Sequence, residues 1–297
     1  MSKIAQGLSQ VAGIAAGVLK FIPGAQPFAA AALAIGVGAG AVGQLLAKPP
    51  ISTPALQDVT LGAEQPYPYA MGRVKLTGHL VHVEAHGRER QDVPNPWRTD
   101  TYVLTGAGPV EAIDSLLVNG TAFTFSASNA GQASGYYGKY LRGTSQLGAL
   151  SESAINSFGN DAAPPTFNYW TSARRISGLA AMQFSMLLDD KETQFRSGPP
   201  DFGAVGRWAK AYDARLDSTQ GGSGSHRIDD ETTFTYHTSP AMHALNYAYA
   251  RYQNGHLGCG GGLSVNCIDI QSLIDAANVQ DANGWAVNGV VYENGED

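Results

Sequence analysis

AAMQFSMLLDDKETQFRSGPPDFGAVGRWAKAYDARL, residues 180–216, decides how the chain is read. It opens with Ala180, Ala181, Met182, Phe184, Met186, Leu187 and Leu188, an apolar run that predicts a buried strand. A polar turn and Gly198-Pro199-Pro200 close it, because successive prolines cannot join a ladder. Residues 204–211, AVGRWAKA, predict a second strand that leads into Tyr212-Asp213-Ala214-Arg215. No catalytic motif lies in this stretch.

Upstream, residues 74–84 predict one strand. Val74, Leu76, Gly78, Leu80, His82 and Glu84 fall on one face and Lys75, Thr77, His79, Val81 and Val83 on the other. Residues 86–99 form a polar loop holding Pro94 and Pro96, and residues 101–105 predict the next strand. Residues 113–118 predict another, closed by Asn119-Gly120, the dipeptide that favours a tight hairpin turn. Successive strands with short turns indicate an antiparallel sheet. Residues 124–166 are rich in Ser, Gly, Ala and Asn, with Tyr136, Tyr137 and Tyr140 close together and a short helix expected over residues 149–158. The tyrosines fit a subunit contact or buried packing. Residues 218–226, STQGGSGSH, have the composition of a flexible loop.

From residue 236 the pattern changes. Ser239 is placed to cap a helix with Pro240 at its first position, and Met242, Leu245, Tyr249 and Tyr252 recur at helical spacing. Asp269 is placed to cap a second helix over residues 270–278, with Ile270, Leu273, Ile274 and Ala277 inward. The two helices and one closing strand make a thin core, which suggests a piece of a longer protein.

The 297 residues suffice for a sizeable core and for two domains. Charged residues make up 15% of the chain, which fits a surface partly covered by other subunits. A net charge of −6 argues against non-specific nucleic-acid binding through a basic face. Cys259 and Cys267 are too few for a disulfide framework. A reducing compartment leaves them as thiols, although their spacing across a Gly-rich turn also suits a hairpin disulfide.

Residues 1–49 differ from the rest, and residues 28–47 carry no charge over about the length that spans a bilayer. A secretory signal is one reading of this region, but the first apolar run holds Ser9 and Gln10 and lacks a cleavage site. A transmembrane helix is another, although Ala and Gly drive insertion weakly. We favour a small-residue helical hairpin broken near Pro23, with Gly36 and Gly40 allowing close helix approach. Gly38, Gly40 and Gly43 spell a dinucleotide fingerprint, yet no strand–helix–strand context surrounds them.

Chemistry-bearing patterns are sparse: there is no nucleophile elbow, no zinc-protease motif and no P-loop. His79, His82 and His86 invite a metal reading, but a regular strand points His79 and His82 to opposite faces. Asp189-Asp190 ends a strand beside Lys191 and reads as a solvated turn. Asp229-Asp230-Glu231 beside His226 reads as a charged loop rather than a cation site. No catalytic, cofactor or metal residue is assigned.

In order along the chain come Pro68-Tyr69-Ala70-Met71-Gly72-Arg73-Val74, Gly108-Pro109-Val110-Glu111-Ala112-Ile113 and Leu117-Val118-Asn119-Gly120. Arg174 to Leu188, Phe195 to Pro199, Tyr212-Asp213-Ala214-Arg215, Ser239-Pro240-Ala241 and Ile268-Asp269 with Ala277-Asn278-Val279 and Asp281 follow. Over residues 60–297 this ordered set resembles the N-terminal hub region of phage tail-tip proteins. That is the lambda-type host-specificity or central tail fibre family, also seen in gene transfer agents. The chain departs from the family pattern at Ser239 and Asn246, and has Gln280 where cysteine is common.

The resemblance implies an α+β, mainly antiparallel β architecture. An apolar helical segment at 1–49 precedes a tail-tube-like β hub domain at 50–235 with an insertion at 124–166. A smaller α+β domain begins at 236–297. It implies a virion structural protein rather than an enzyme: a homotrimer closing the tail tube and adapting hexameric symmetry to threefold, with a role in host attachment and genome ejection. Its partners would be the distal tail protein ring, other tail-tip proteins and the tape-measure protein, without specific nucleic-acid binding. Residues 4–47 are expected in the tube lumen, and membrane contact during ejection is a further expectation for them. The rival class is a membrane-anchored secreted β-rich hydrolase acting on the cell wall, for which no acid or nucleophile stands out.

Overall fold

The structure, a computed structural model, describes residues 60–61, 67–90, 93–126, 131–156, 170, 173–188, 194–195, 198–253 and 256–292. The expectations for residues 1–49 and for Asp189-Asp190 lie outside them. Among the described residues no helix is long and apolar enough to cross a membrane.

In chain order the strands are β1 (Thr60–Leu61), β2 (Tyr69–Met71), β3 (Arg73–Leu76), β4 (His79–His86), β5 (Trp97–Thr105), β6 (Val110–Val118), β7 (Thr121–Phe123), β8 (Phe125–Ser126), β9 (Gln132–Ala133), β10 (Leu141–Gln146), β11 (Ala180–Leu187), β12 (Phe202–Ala211), β13 (Thr235–Tyr236), β14 (Arg251–Gln253), β15 (His256–Cys259) and β16 (Gly289–Val291). Among the described residues two α-helices, α1 (Pro240–Tyr249) and α2 (Ile270–Ala282), lie between the later strands. The fold is therefore mainly antiparallel β with few helices. The larger sheet runs β1-β4-β5-β11-β10-β9-β8, and the smaller runs β13-β12-β6-β7 with β3 also on β12. Only β1–β4 is parallel among these pairs.

The sheets share one core. Along β11, Met182, Phe184 and Met186 point toward the smaller sheet, and the Phe184 ring stacks on Phe202 at 3.9 Å between centroids. Trp208, fully buried, donates its indole N–H to the Val74 carbonyl and so ties β12 to β3 through a side chain as well as the ladder. Each such fully buried large side chain contributes about 1.5–3 kcal/mol. A second, smaller core gathers Tyr212, Phe234, Met242, Leu245 and Ala277 under α1 and α2. Across the boundary expected at residues 235/236 the packing is continuous, and β16 pairs with β2.

Several sequence expectations hold locally. Val118 and Thr121 face each other across Asn119 and Gly120, both with positive φ, as the hairpin signal required. Ser239 caps α1 and Asp269 caps α2, each accepting a backbone N–H three residues on.

Others are corrected. The single strand expected over residues 74–84 is two, β3 in the smaller sheet and β4 in the larger. Gly78 makes the crossing: its φ is +77°, a left-handed value that side chains disfavour. β5 begins at Trp97, directly after Pro96, rather than at residue 101. Residues 149–156 contain no helix. Gly148 (φ +88°) packs against the Leu179 backbone there, and Glu152 bonds the N–H groups of Gly148 and Ala149 in place of a helical turn. α1 ends at Tyr249, so Tyr252 falls in β14, while α2 continues to Ala282. The stretch 218–226 is ordered: the Asp217 carboxylate accepts from Thr219 N–H, Thr219 hydroxyl and Arg227. Its glycines serve close approach, since a Cβ on Gly222 would meet the Arg215 carbonyl at 2.2 Å.

Candidate functional site

The motif residues converge on the joint between the two-sheet body and the helical layer. β12 runs out at Ala211, and the next backbone unit, Tyr212, has no further strand to pair with in the smaller sheet. Asn246 on α1 substitutes for one. Its amide accepts from Tyr212 N–H at 2.9 Å and donates to the Tyr212 and Met242 carbonyls at 2.9 and 2.7 Å. The Tyr212 hydroxyl donates to the Asp217 carboxylate at 2.8 Å.

Arg215 holds the far side. It donates Nε and Nη2 to the Asp213 carboxylate at 2.9 and 2.7 Å, and Nη1 to Asp281 at 2.6 Å and Asn278 at 3.3 Å on α2. Burial pushes the Asp213 carboxyl up, but the Arg215 hydrogen bonds and charge outweigh it and hold Asp213 below the usual range. The fork of Arg215 matches the Asp213 carboxylate on two bonds, and its remaining nitrogen, bonded to Asp281 and Asn278, fixes α2 against the end of β12. Gln280 completes the joint: its side-chain oxygen accepts from the Ser239 hydroxyl at 3.1 Å and from Ala241 N–H at 3.0 Å.

A second polar cluster covers the outer face of the larger sheet. Here the structure overturns the expectation that His79 and His82 point apart. A bulge at Val81 shifts the β4–β5 register, so that His79 opposes Val103 while His82, Glu84 and His86 oppose Thr101, Thr99 and Trp97. All four side chains therefore share one face. His82 Nε2 donates to the Glu84 carboxylate at 3.1 Å, that carboxylate also accepts the Trp170 backbone N–H, and the His82 ring lies 5.0 Å from the Trp170 ring. His86 Nε2, Thr99 Oγ1 and Ser185 Oγ form a chain with steps of 2.9 and 2.7 Å. Burial pushes His86 down to about 4, with Glu84 acting the other way and Arg142 adding to the drop.

A chain of imidazole and hydroxyls resembles a nucleophile relay on paper. His86, Thr99 and Ser185 are 2%, 1% and 0% exposed, however, so no substrate reaches the hydroxyl in this conformation. Its geometry suits a hydrogen-bonded inner layer, because buried polar atoms must find partners. Among the described residues no three His, Cys, Asp or Glu side chains converge as metal ligands. The acidic run beside His226 is engaged: Asp230 caps Thr232 and Glu231 pairs with Arg251 at 2.9 Å. Both cysteines are free thiols, Cys259 buried and Cys267 exposed.

Of the tyrosine group, Tyr137 is buried and stacked on Phe195 at 5.6 Å, whereas Tyr136 is exposed. Leu150, Val279 and Trp285 also present more than half their surface to solvent. No family model, no curated protein and no solved structure matches this chain.

Proposed function

We propose that this chain is a structural subunit of a phage tail-tip hub, a homotrimer that closes the tail tube and links it to the tip. In this reading the two-sheet body is the tube-like domain and residues 1–49 occupy the lumen beside the tape-measure protein. The distal tail ring is its neighbour. One observation carries the reading: the residues that bear the resemblance are joints rather than reactive groups. Arg215 of the YDAR motif, gripped by Asp213 of the same motif, binds Asp281 and Asn278 of the last motif, across more than sixty residues of chain. Two of the three departures from the family pattern also meet each other, Ser239 with Gln280. Paired departures of this kind are what a shared joint produces when one side changes.

Exposed aromatic surface in a chain poor in charge adds support, since subunit contacts are enriched in Tyr and Trp and depleted in charged residues. Light scattering on the purified chain, with and without residues 1–49, tests the proposal. A trimer, or a trimer that dissociates on truncation, is expected. Monomers in both forms would overturn it.

A further inference from the structure

Three histidines, His226, His237 and His243, sit where the helical layer meets the two-sheet body. Each uses a ring nitrogen as an acceptor. His226 Nδ1 accepts the Asp213 backbone N–H at 3.0 Å, at the end of β12. His237 Nδ1 accepts the Ser239 N–H at 3.4 Å, at the cap of α1. His243, on α1, faces the His237 carbonyl with Nε2 at 2.8 Å. A carbonyl only accepts, so Nε2 carries the proton and Nδ1 takes the Tyr69 hydroxyl of β2 at 3.0 Å.

All three rings are therefore built in neutral. A backbone N–H cannot reverse its role. Protonating His226 or His237 turns an acceptor into a donor facing a donor, and the bond is lost. The His237 and His243 rings lie 5.4 Å apart at 27°, so two protonated rings would repel at close range. The Nε2 of His237 is already buried without a partner.

The charged neighbours sort the three. Arg251 bears on His243, with the Tyr69 phenol on its other side. His237 sees Arg215 and His226 on one hand and Asp213 and Asp281 on the other. His226 sees Asp213 and Asp217.

We propose that these histidines form an acid-sensitive seam whose protonation loosens the layer of α1 and α2 from the two-sheet body while the body stays folded. Burial lowers all three relative to an ordinary imidazole, His243 to about 4. A group depressed in the folded state supports folding fully above its unfolded value, near 6.5, and loses that support as pH falls toward its folded value. Asp213 and Asp217 are held below the usual carboxylate range, so they stay ionised through the window in which the histidines act.

Hydrogen exchange on the full chain at pH 7.5 and pH 5.0, corrected for intrinsic rates, tests this. Protection of α1 and α2 is expected to fall by about tenfold or more per unit of depression traversed, with β11 and β12 unchanged. A triple variant, His226→Gln, His237→Gln and His243→Gln, stays neutral and is expected to lose most of that pH response. Equal protection of the layer at both pH values, simultaneous loss in β11, or a triple variant with the full response would each overturn the proposal. Titration of the imidazole protons of the unmodified chain gives a reading that needs no variant. Midpoints well below 6.5 for the three support the seam, and midpoints at 6.5 refute it.

Discussion

Replacing Asn246 by Leu removes the side chain that stands in for a missing strand at Tyr212. Leucine keeps nearly the same shape, so the change isolates polarity. The buried Tyr212 N–H and C=O lose partners at 2.9 Å each, and the Met242 carbonyl loses its 2.7 Å bond. An abandoned buried group costs about 1–3 kcal/mol, so the two Tyr212 groups cost roughly 2–6 kcal/mol. The added apolar surface of leucine returns about 1–2 kcal/mol. Taking the middle of both ranges, the net loss is about 2–3 kcal/mol, a sizeable fraction of a typical stability of about 5–15 kcal/mol. Urea unfolding followed by far-ultraviolet circular dichroism measures it, with a lower midpoint and an unchanged slope. A loss under about 1 kcal/mol at the same slope would mean that water replaces the amide. The joint would then be wet, and the Asn246 amide would not be what completes Tyr212.

Phe184→Ala empties the space between the sheets where Phe184 stacks on Phe202, and should cost roughly 3–5 kcal/mol. Calorimetry would read this as a drop of roughly 6–20 °C in Tm. An effect below about 1 kcal/mol would show that this pair does not hold the sheets together. Gly78→Ala forces a left-handed backbone on alanine, at about 1–2 kcal/mol, and brings a Cβ to 2.9 Å from the Val103 carbonyl. Gly120→Ala has a similar φ of +75° with nothing within 4 Å. Gly78→Ala should therefore be the more costly in denaturant titrations, and equal losses would show that the Val103 contact yields freely.

What the sequence disclosed follows how local each signal is. The β6–β7 hairpin was legible because Asn119 and Gly120 both adopt positive φ, a demand those two residues meet without help from the rest of the fold. The caps at Ser239 and Asp269 were legible for the same reason. The strand break at Gly78 was not, because a Gly within alternating residues looks the same in a continuous strand and at a corner. The bulge at Val81 left no mark either, and it reversed which face His79 occupies. The order of residues 218–226 depends on Asp217, Tyr212 and Arg227 meeting in space, which no window of composition contains. The joint itself was half legible. Its motif residues stood out, but the partnership of Arg215 with Asp281 and of Ser239 with Gln280 came from packing.

The β2–β16 pair has a mechanical consequence. Tyr69 opposes Val291 and Met71 opposes Gly289, so the chain enters β2 and leaves β16 at the same end of the pair. Tension between those two points pulls the ladder apart one bond at a time, like a zip, instead of shearing all its bonds at once. Gly72 lies at the opposite, closed end, where Arg73 N–H is gripped by the Asn288 side chain at 2.7 Å. Opened from the Tyr69–Val291 end, the clasp would meet the Asn288 grip last.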